Sequence, residues 1–157
     1  MKAIANESLL FEGKQPVGYV PMASKLLNLD AQHMIVRNIG DCMNSDLSPI
    51  RIKNNDRLVI HAIQKTECDI VSNINKVIVI MFNNGDMYTK QLVCYDNDCI
   101  VVKLFNPCES LWRIPVSEIK SLFVVDCTLS PEYIKQNTYK PYENGIFPYY
   151  KDMIYVQ

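Results

Sequence analysis

Residues 76–94 read Lys76-Val77-Ile78-Val79-Ile80-Met81-Phe82-Asn83-Asn84-Gly85-Asp86-Met87-Tyr88-Thr89-Lys90-Gln91-Leu92-Val93-Cys94. The first seven are nearly continuous in branched apolar residues, the pattern of a strand buried on both faces. Asn84-Gly85 supplies the positive φ angles of a tight hairpin turn. Met87 to Cys94 is therefore expected to fold straight back. This hairpin makes antiparallel β structure the organising element of the chain.

Working outward, Met34 to Ile39 and Leu58 to Ile63 read as strands, the second entered through Asn54-Asn55-Asp56. Downstream, a turn at Asp96-Asn97-Asp98 leads into Cys99 to Phe105, and Ile119 to Asp126 supplies the last strong run. Strands recur about every 10 to 15 residues with no helix between them long enough for a crossover. The expected fold is mostly β: compact, curved antiparallel sheets, barrel-like, with little helix. The best helical segment is Pro131 to Gln136, with Ser130 as N-cap and Pro131 at the first helical position. Residues 1–33 show no clean period and are read as an N-terminal arm or partial strands, leaving 34–127 as the β domain. Residues 128–157 form a tail carrying six of the nine tyrosines (Tyr133, Tyr139, Tyr142, Tyr149, Tyr150 and Tyr155). Such a tail either packs on the domain or forms an interface, since each ring buries area while its hydroxyl stays wet.

With 157 residues, 48% apolar and 21% charged, the chain has the length and composition of a single folded domain. A net charge of -1 gives no global attraction to nucleic acid or an anionic membrane. No stretch approaches the roughly 20 apolar residues that span a bilayer, and the N-terminal segment lacks the apolar core of a signal peptide. A cytoplasmic protein with no membrane partner is expected. The six cysteines contain no C-x-x-C pair, and His33 and His61 stand in no zinc-like spacing with any of them. On spacing, neither metal nor cofactor is expected.

Chemistry concentrates at two places. Gly40 ends an apolar strand and is followed by Asp41, Cys42 and Met43. A glycine there lets the chain turn sharply and the next side chains stand clear of the sheet. A nucleophile needs that exposure, together with backbone amides to hold a developing oxyanion. Cys42 fits this role, although free cysteines are more often inert small hydrophobes. In the run Met87 to Cys94, strict alternation puts Tyr88, Lys90, Leu92 and Cys94 on one face, so Lys90 is directed inward. Desolvation penalises the charged form of a lysine and suits it to act as a general base. The bland alternative is an edge lysine whose head reaches water.

Taken together and in order, these segments resemble the C-terminal domains of LexA-type and phage repressors. The strings V-R-N-I-G-D-C-M and K-N-N-D-R-L-V-I are similar to that family's V-x-G-D-S-M and D-G-D-x-V-x-V. Tyr88-Thr89-Lys90-Gln91-Leu92 resembles its lysine motif, Phe105-Asn106-Pro107 its S-D-N-P, and Ile119 to Asp126 its closing strand. The resemblance covers about Ile35 to Asp126. It implies a serine–lysine self-cleaving fold with Cys42 at the nucleophile position and Lys90 as its base, Gly40, Asp41 and Met43 shaping the turn and oxyanion site.

Departures from the pattern limit what carries over. Cysteine in place of serine favours a thiolate–ammonium pair, still nucleophilic but mechanistically altered. Family members cut at a small residue followed by glycine. Here Val17-Gly18 is the best candidate and is too near Cys42, while Glu12-Gly13 is chemically no better. Asn55 stands where glycine is usual, a substitution that asparagine's tolerance of left-handed backbone permits. A helix-turn-helix is also missing from this chain, so any DNA contact would need a module outside it. The leading expectation is a self-associating, homodimeric domain of a repressor-type regulator with degenerate or lost autoproteolysis. An active cysteine–lysine autoprotease and a UmuD-like accessory subunit of a repair polymerase, with a protein partner, are the alternatives.

Overall fold

The computed structural model describes residues 7–13, 15–21 and 33–138. Among these residues nine strands form one sheet: β1 (Glu7–Glu12), β2 (Gln15–Pro21), β3 (His33–Arg37), β4 (Arg57–Ile63), β5 (Val77–Phe82), β6 (Met87–Asp96), β7 (Cys99–Leu104), β8 (Ser110–Pro115) and β9 (Ile119–Leu129). Two short helices accompany them, α1 (Glu67–Val71) and α2 (Pro131–Asn137). Among the described residues no helix is long and apolar enough to cross a membrane.

The strand order is β2-β1-β3-β4-β9-β5-β6-β7-β8. Mostly β with little helix is what the sequence leads one to expect. Among the described residues, however, the sheet does not close on itself: β2 and β8 are its two edge strands, so it is open rather than barrel-like. One pairing, β1 with β3 through Leu9↔Met34 and Leu10↔Ile35, is parallel; the others are antiparallel. β9, the last of the described strands, lies between β4 and β5 and joins the two halves.

Alternation along the strands produces three apolar clusters. Val77 and Val79 of β5, with Phe123 and Val125 of β9, face a main core shared with Leu9, Met34, Leu58, Met43 and Ile52. Their neighbours Ile78, Ile80, Leu122 and Val124 point the other way, onto Leu92, Val102 and Ile70 of α1. At the opposite end of that second face, Ile35 and Val59 pack with Leu10, Val20 and Ile134 of α2. The sheet is thus buried on both sides in its middle, which accounts for the unbroken apolar run in β5.

The β5–β6 turn has Gly85 at φ +94°, and the β6–β7 turn uses Asn97 and Asp98 at φ +49° and +60°. Both turns fall where the sequence places them. In β6 the pairing with β7 slips between Leu92 and Cys94. Val93 is therefore an extra, bulged residue, and it takes Cys94 out of the alternation with Tyr88, Lys90 and Leu92. β1 and β2 make an edge hairpin out of part of the expected N-terminal arm. Of the tyrosine-rich tail, Tyr133 lies on α2; Tyr139, Tyr142, Tyr149, Tyr150 and Tyr155 lie outside the described residues.

Candidate active site

After β3 the backbone turns sharply to present Cys42. Gly40 adopts φ +98°, a region that disfavours any side chain. Buried Asn38 donates through Nδ2 to the carbonyls of Gly40 at 3.1 Å and Lys53 at 3.0 Å. Asn54 Oδ1 accepts from the Gly40 amide at 2.7 Å. Asp41 Oδ1 accepts from the Asn54 amide at 3.0 Å and from the Asn44 side-chain amide at 3.3 Å. Met43 is buried in the main core, and its carbonyl accepts from the Ile52 amide at 3.1 Å. Asp41 and Met43 therefore brace the turn, and Asn55 takes its expected left-handed conformation at φ +73°. Cys42, between them, is a free, half-buried thiol.

Lys90 points inward, with 6% of its surface exposed. Its Nζ donates to Cys42 Sγ at 3.2 Å, while the Cys42 thiol donates to the Thr89 carbonyl at 3.3 Å. Lys90 has no ion pair among the described residues; the Tyr88 ring centroid, 5.6 Å from Nζ, is its other electrostatic neighbour. The two residues singled out in the sequence, 48 positions apart, therefore meet at hydrogen-bond distance.

A third contributor was visible in the sequence only as a landmark. The amides of Phe105 and Asn106 both donate to the Cys42 carbonyl, at 2.8 and 3.1 Å. Asn106 Nδ2 donates to the carbonyls of Asp41 at 2.9 Å and Asn44 at 2.6 Å. Asn106, which precedes a cis peptide bond to Pro107, thus clamps the Gly40–Asn44 turn from its carbonyl side. No acceptor among the described residues takes the amides of Cys42 and Met43. The Gly40 amide, by contrast, is committed to Asn54 Oδ1.

Cys42 and Lys90 open onto a groove of about 660 Å³, walled also by Val36, Ile39 and Met87 and reaching the Glu12–Gly13 turn between β1 and β2. Ile39 is 82% exposed and Met87 41%, an apolar rim beside the thiol. Val17 and Gly18 lie within β2, where Gly18 pairs with Leu10. The groove is therefore lined by Glu12 and Gly13, not by the pair that reads best in sequence.

A separate cluster lies across β3, β4 and β9. His33 and His61 oppose one another in register, and Asp126 reaches both, its Oδ2 2.9 Å from His33 Nε2 and 2.7 Å from His61 Nδ1. Burial pushes the Asp126 carboxyl up, but the two imidazoles outweigh burial and hold it below the ordinary carboxylate range. Burial, helped by the adjacent Asp126 charge, pushes the Cys127 thiol up. Sequence spacing gave no hint of this group, because its members come from three strands.

No protein-family model and no curated protein matches the chain.

Proposed function

We propose that this chain is a cysteine–lysine acyl-transfer domain of the LexA-like kind, acting on an extended peptide segment laid along the groove. The contact of Lys90 Nζ with Cys42 Sγ at 3.2 Å, at the wall of an open groove, carries this reading. In the reaction Sγ attacks a peptide carbonyl carbon while the thiol proton resides on Lys90. The carbonyl oxygen, now negative, is held by the Cys42 and Met43 amides. Lys90 passes its proton to the departing amine nitrogen, leaving a thioester at Cys42 that water hydrolyses. Exposed Ile39 and Met87 suit an apolar side chain beside the scissile bond, and Glu12–Gly13 is the segment of this chain that already borders the groove.

The test is intact mass after incubation over a range of pH, alongside Cys42→Ala and Lys90→Ala. Alkylation rates of Cys42 against exposed Cys68 and Cys108 supply internal controls. Cleavage that needs both residues, with Cys42 reacting fastest despite being half-buried, is the expected result. An uncut chain in which Cys42 reacts no faster than Cys68 and Cys108 would sink the proposal.

A second reading, a self-associating regulator domain that has lost cleavage, is favoured by the position of Val17–Gly18 inside β2 and by the free edge of β8. Leu111 on that edge is 64% exposed and Trp112 37%. Sedimentation of the wild type beside Leu111→Asp tests it. A dimer that the substitution dissociates supports this reading, and a monomeric wild type removes it.

A further inference from the structure

The geometry points to a binding site for a divalent transition cation of the zinc class, formed by His33 Nε2, His61 Nδ1 and an oxygen of Asp126. Three neighbouring strands bring these ligands together. His33 and His61 are cross-strand partners on β3 and β4, on the same face as Ile35 and Val59. On β9 the pairing with β4 slips between Val59 and Ile60, whose partners are Cys127 and Val125. Asp126 is therefore the extra residue of a bulge. A bulge re-aims the side chain it carries, and here it turns the carboxylate onto the histidine pair. The ligand atoms all lie within 4.8 Å of one another.

His33 supplies the independent observation. Its side chain is 3% exposed and its Nε2 lies 2.9 Å from Asp126 Oδ2, yet Nε2 makes no hydrogen bond. The approach is close but misaligned, so a buried nitrogen aimed into the cluster is left unsatisfied. Buried polar atoms without partners are rare in folded proteins, and a cation between the three groups would satisfy this one. Two imidazole nitrogens and one carboxylate suit zinc, nickel or cobalt better than calcium or magnesium, which prefer all-oxygen sets.

Zinc takes its nitrogen and oxygen ligands at about 2.0–2.2 Å, which sets them about 3.4 Å apart in a tetrahedron. The present separations of 2.9 and 2.7 Å need to open by about 0.5 and 0.7 Å to reach that spacing, within reach of side-chain rotation. Asp126 and His61 keep 19% and 14% of their side-chain surface exposed, so the remaining coordination position faces an entry path. Three protein ligands and an open position describe an exchangeable site, not a closed structural one.

The probe is the metal alone: zinc by titration calorimetry, cobalt by absorption spectroscopy, on the full chain, with His61→Gln and Asp126→Asn beside it. The expected result is one equivalent bound, with cobalt d–d bands and no thiolate-to-metal charge transfer. Each variant should lose at least the roughly tenfold in affinity that even an outer-shell partner contributes, while keeping its β-sheet circular dichroism. Because a variant can fail to fold, imidazole nitrogen resonances of the wild type are followed during the zinc titration. Selective shifts at His33 Nε2 and His61 Nδ1 support the site. Absence of binding, a thiolate charge-transfer band marking cysteine ligation, or imidazole resonances that do not respond would each overturn it.

Discussion

Gly40 and Lys90 illustrate two different demands that one site places on single residues. A Cβ at Gly40 would meet nothing within 4 Å, so its φ of +98° alone calls for glycine. Gly40→Ala is expected to cost roughly 1–3 kcal/mol in a denaturant midpoint measurement, the usual cost of holding a side chain in a disfavoured region. It should also slow Cys42 alkylation by re-aiming the turn; full stability and reactivity would mean that the turn relaxes freely. Lys90 raises the opposite question, because its buried amine meets no carboxylate among the described residues, only Cys42 Sγ at 3.2 Å, and burying an amine costs desolvation. Lys90→Met keeps the volume and removes the charge. It should raise stability by roughly 1 kcal/mol, as relieving a strained functional position commonly does. Peptide cleavage should fall about 100-fold or more, the scale of a lost proton-transfer group. A thermal melt and a cleavage assay on the same sample check both halves; a destabilised Lys90→Met would show that the amine's contacts outweigh its desolvation.

Among the elements, α2 shows how much a few residues can specify. Ser130 Oγ accepts from the Tyr133 amide at 3.1 Å, Pro131 opens the first turn, and Ile134 is buried against Ile35 and Val59. Ser130→Ala should cost about 1 kcal/mol, and Ile134→Ala about 2–5 kcal/mol because it also leaves a cavity. Chemical denaturation gives both, and equal costs would mean that capping and docking are not separate contributions. The helix was legible because its cap, its proline and its apolar residue all lie within five positions. The β5–β6 hairpin was equally legible from Asn84-Gly85 and from alternation. β8 was not: Ser110 to Arg113 are all exposed, so no buried stripe marks this edge strand. α1 is too short to show a period and is fixed by Thr66, whose Oγ1 accepts from the Asp69 amide at 3.3 Å. In β1 and β2, Gly18 and the prolines at 16 and 21 interrupt the pattern, and the sheet itself supplies the order. The Cys42–Lys90 pair could be read because local turn chemistry and an inward lysine each leave a mark in sequence. Asn106 stood out only as part of Phe105-Asn106-Pro107, because its contacts with Asp41 and Asn44 join two loops distant in sequence. The His33–His61–Asp126 group could not be read, since strand pairing and the bulge in β9 bring it together.

At the scale of the whole molecule, the position of β9 decides how the chain holds together. Of the nine described strands, the last in the chain is the one between β4 and β5, so the two halves of the sheet join only when residues 119–129 insert. Phe123 and Val125 of that strand share one core with Leu9 and Met34 from the first half and Val77 and Val79 from the second. The candidate active site has the same dependence, since Cys42 follows β3 while Lys90 lies on β6. Phe123 is 1% exposed, and Phe123→Ala is expected to cost about 3–5 kcal/mol, a large share of the roughly 5–15 kcal/mol that stabilises a domain. Because both halves lean on this side chain, amide hydrogen exchange should accelerate together in β3, β4, β5 and β6. Contact between Cys42 and Lys90 should then fail in the same transition, seen as convergence of the alkylation rates of Cys42 and Cys68 if the proposed cysteine–lysine pair activates the thiol. If β5–β8 amides kept their protection while β1–β4 amides lost theirs, the hairpin half would be a separate cooperative unit. In that case the thiol would part from its lysine by local opening, at a denaturant concentration below that of global unfolding.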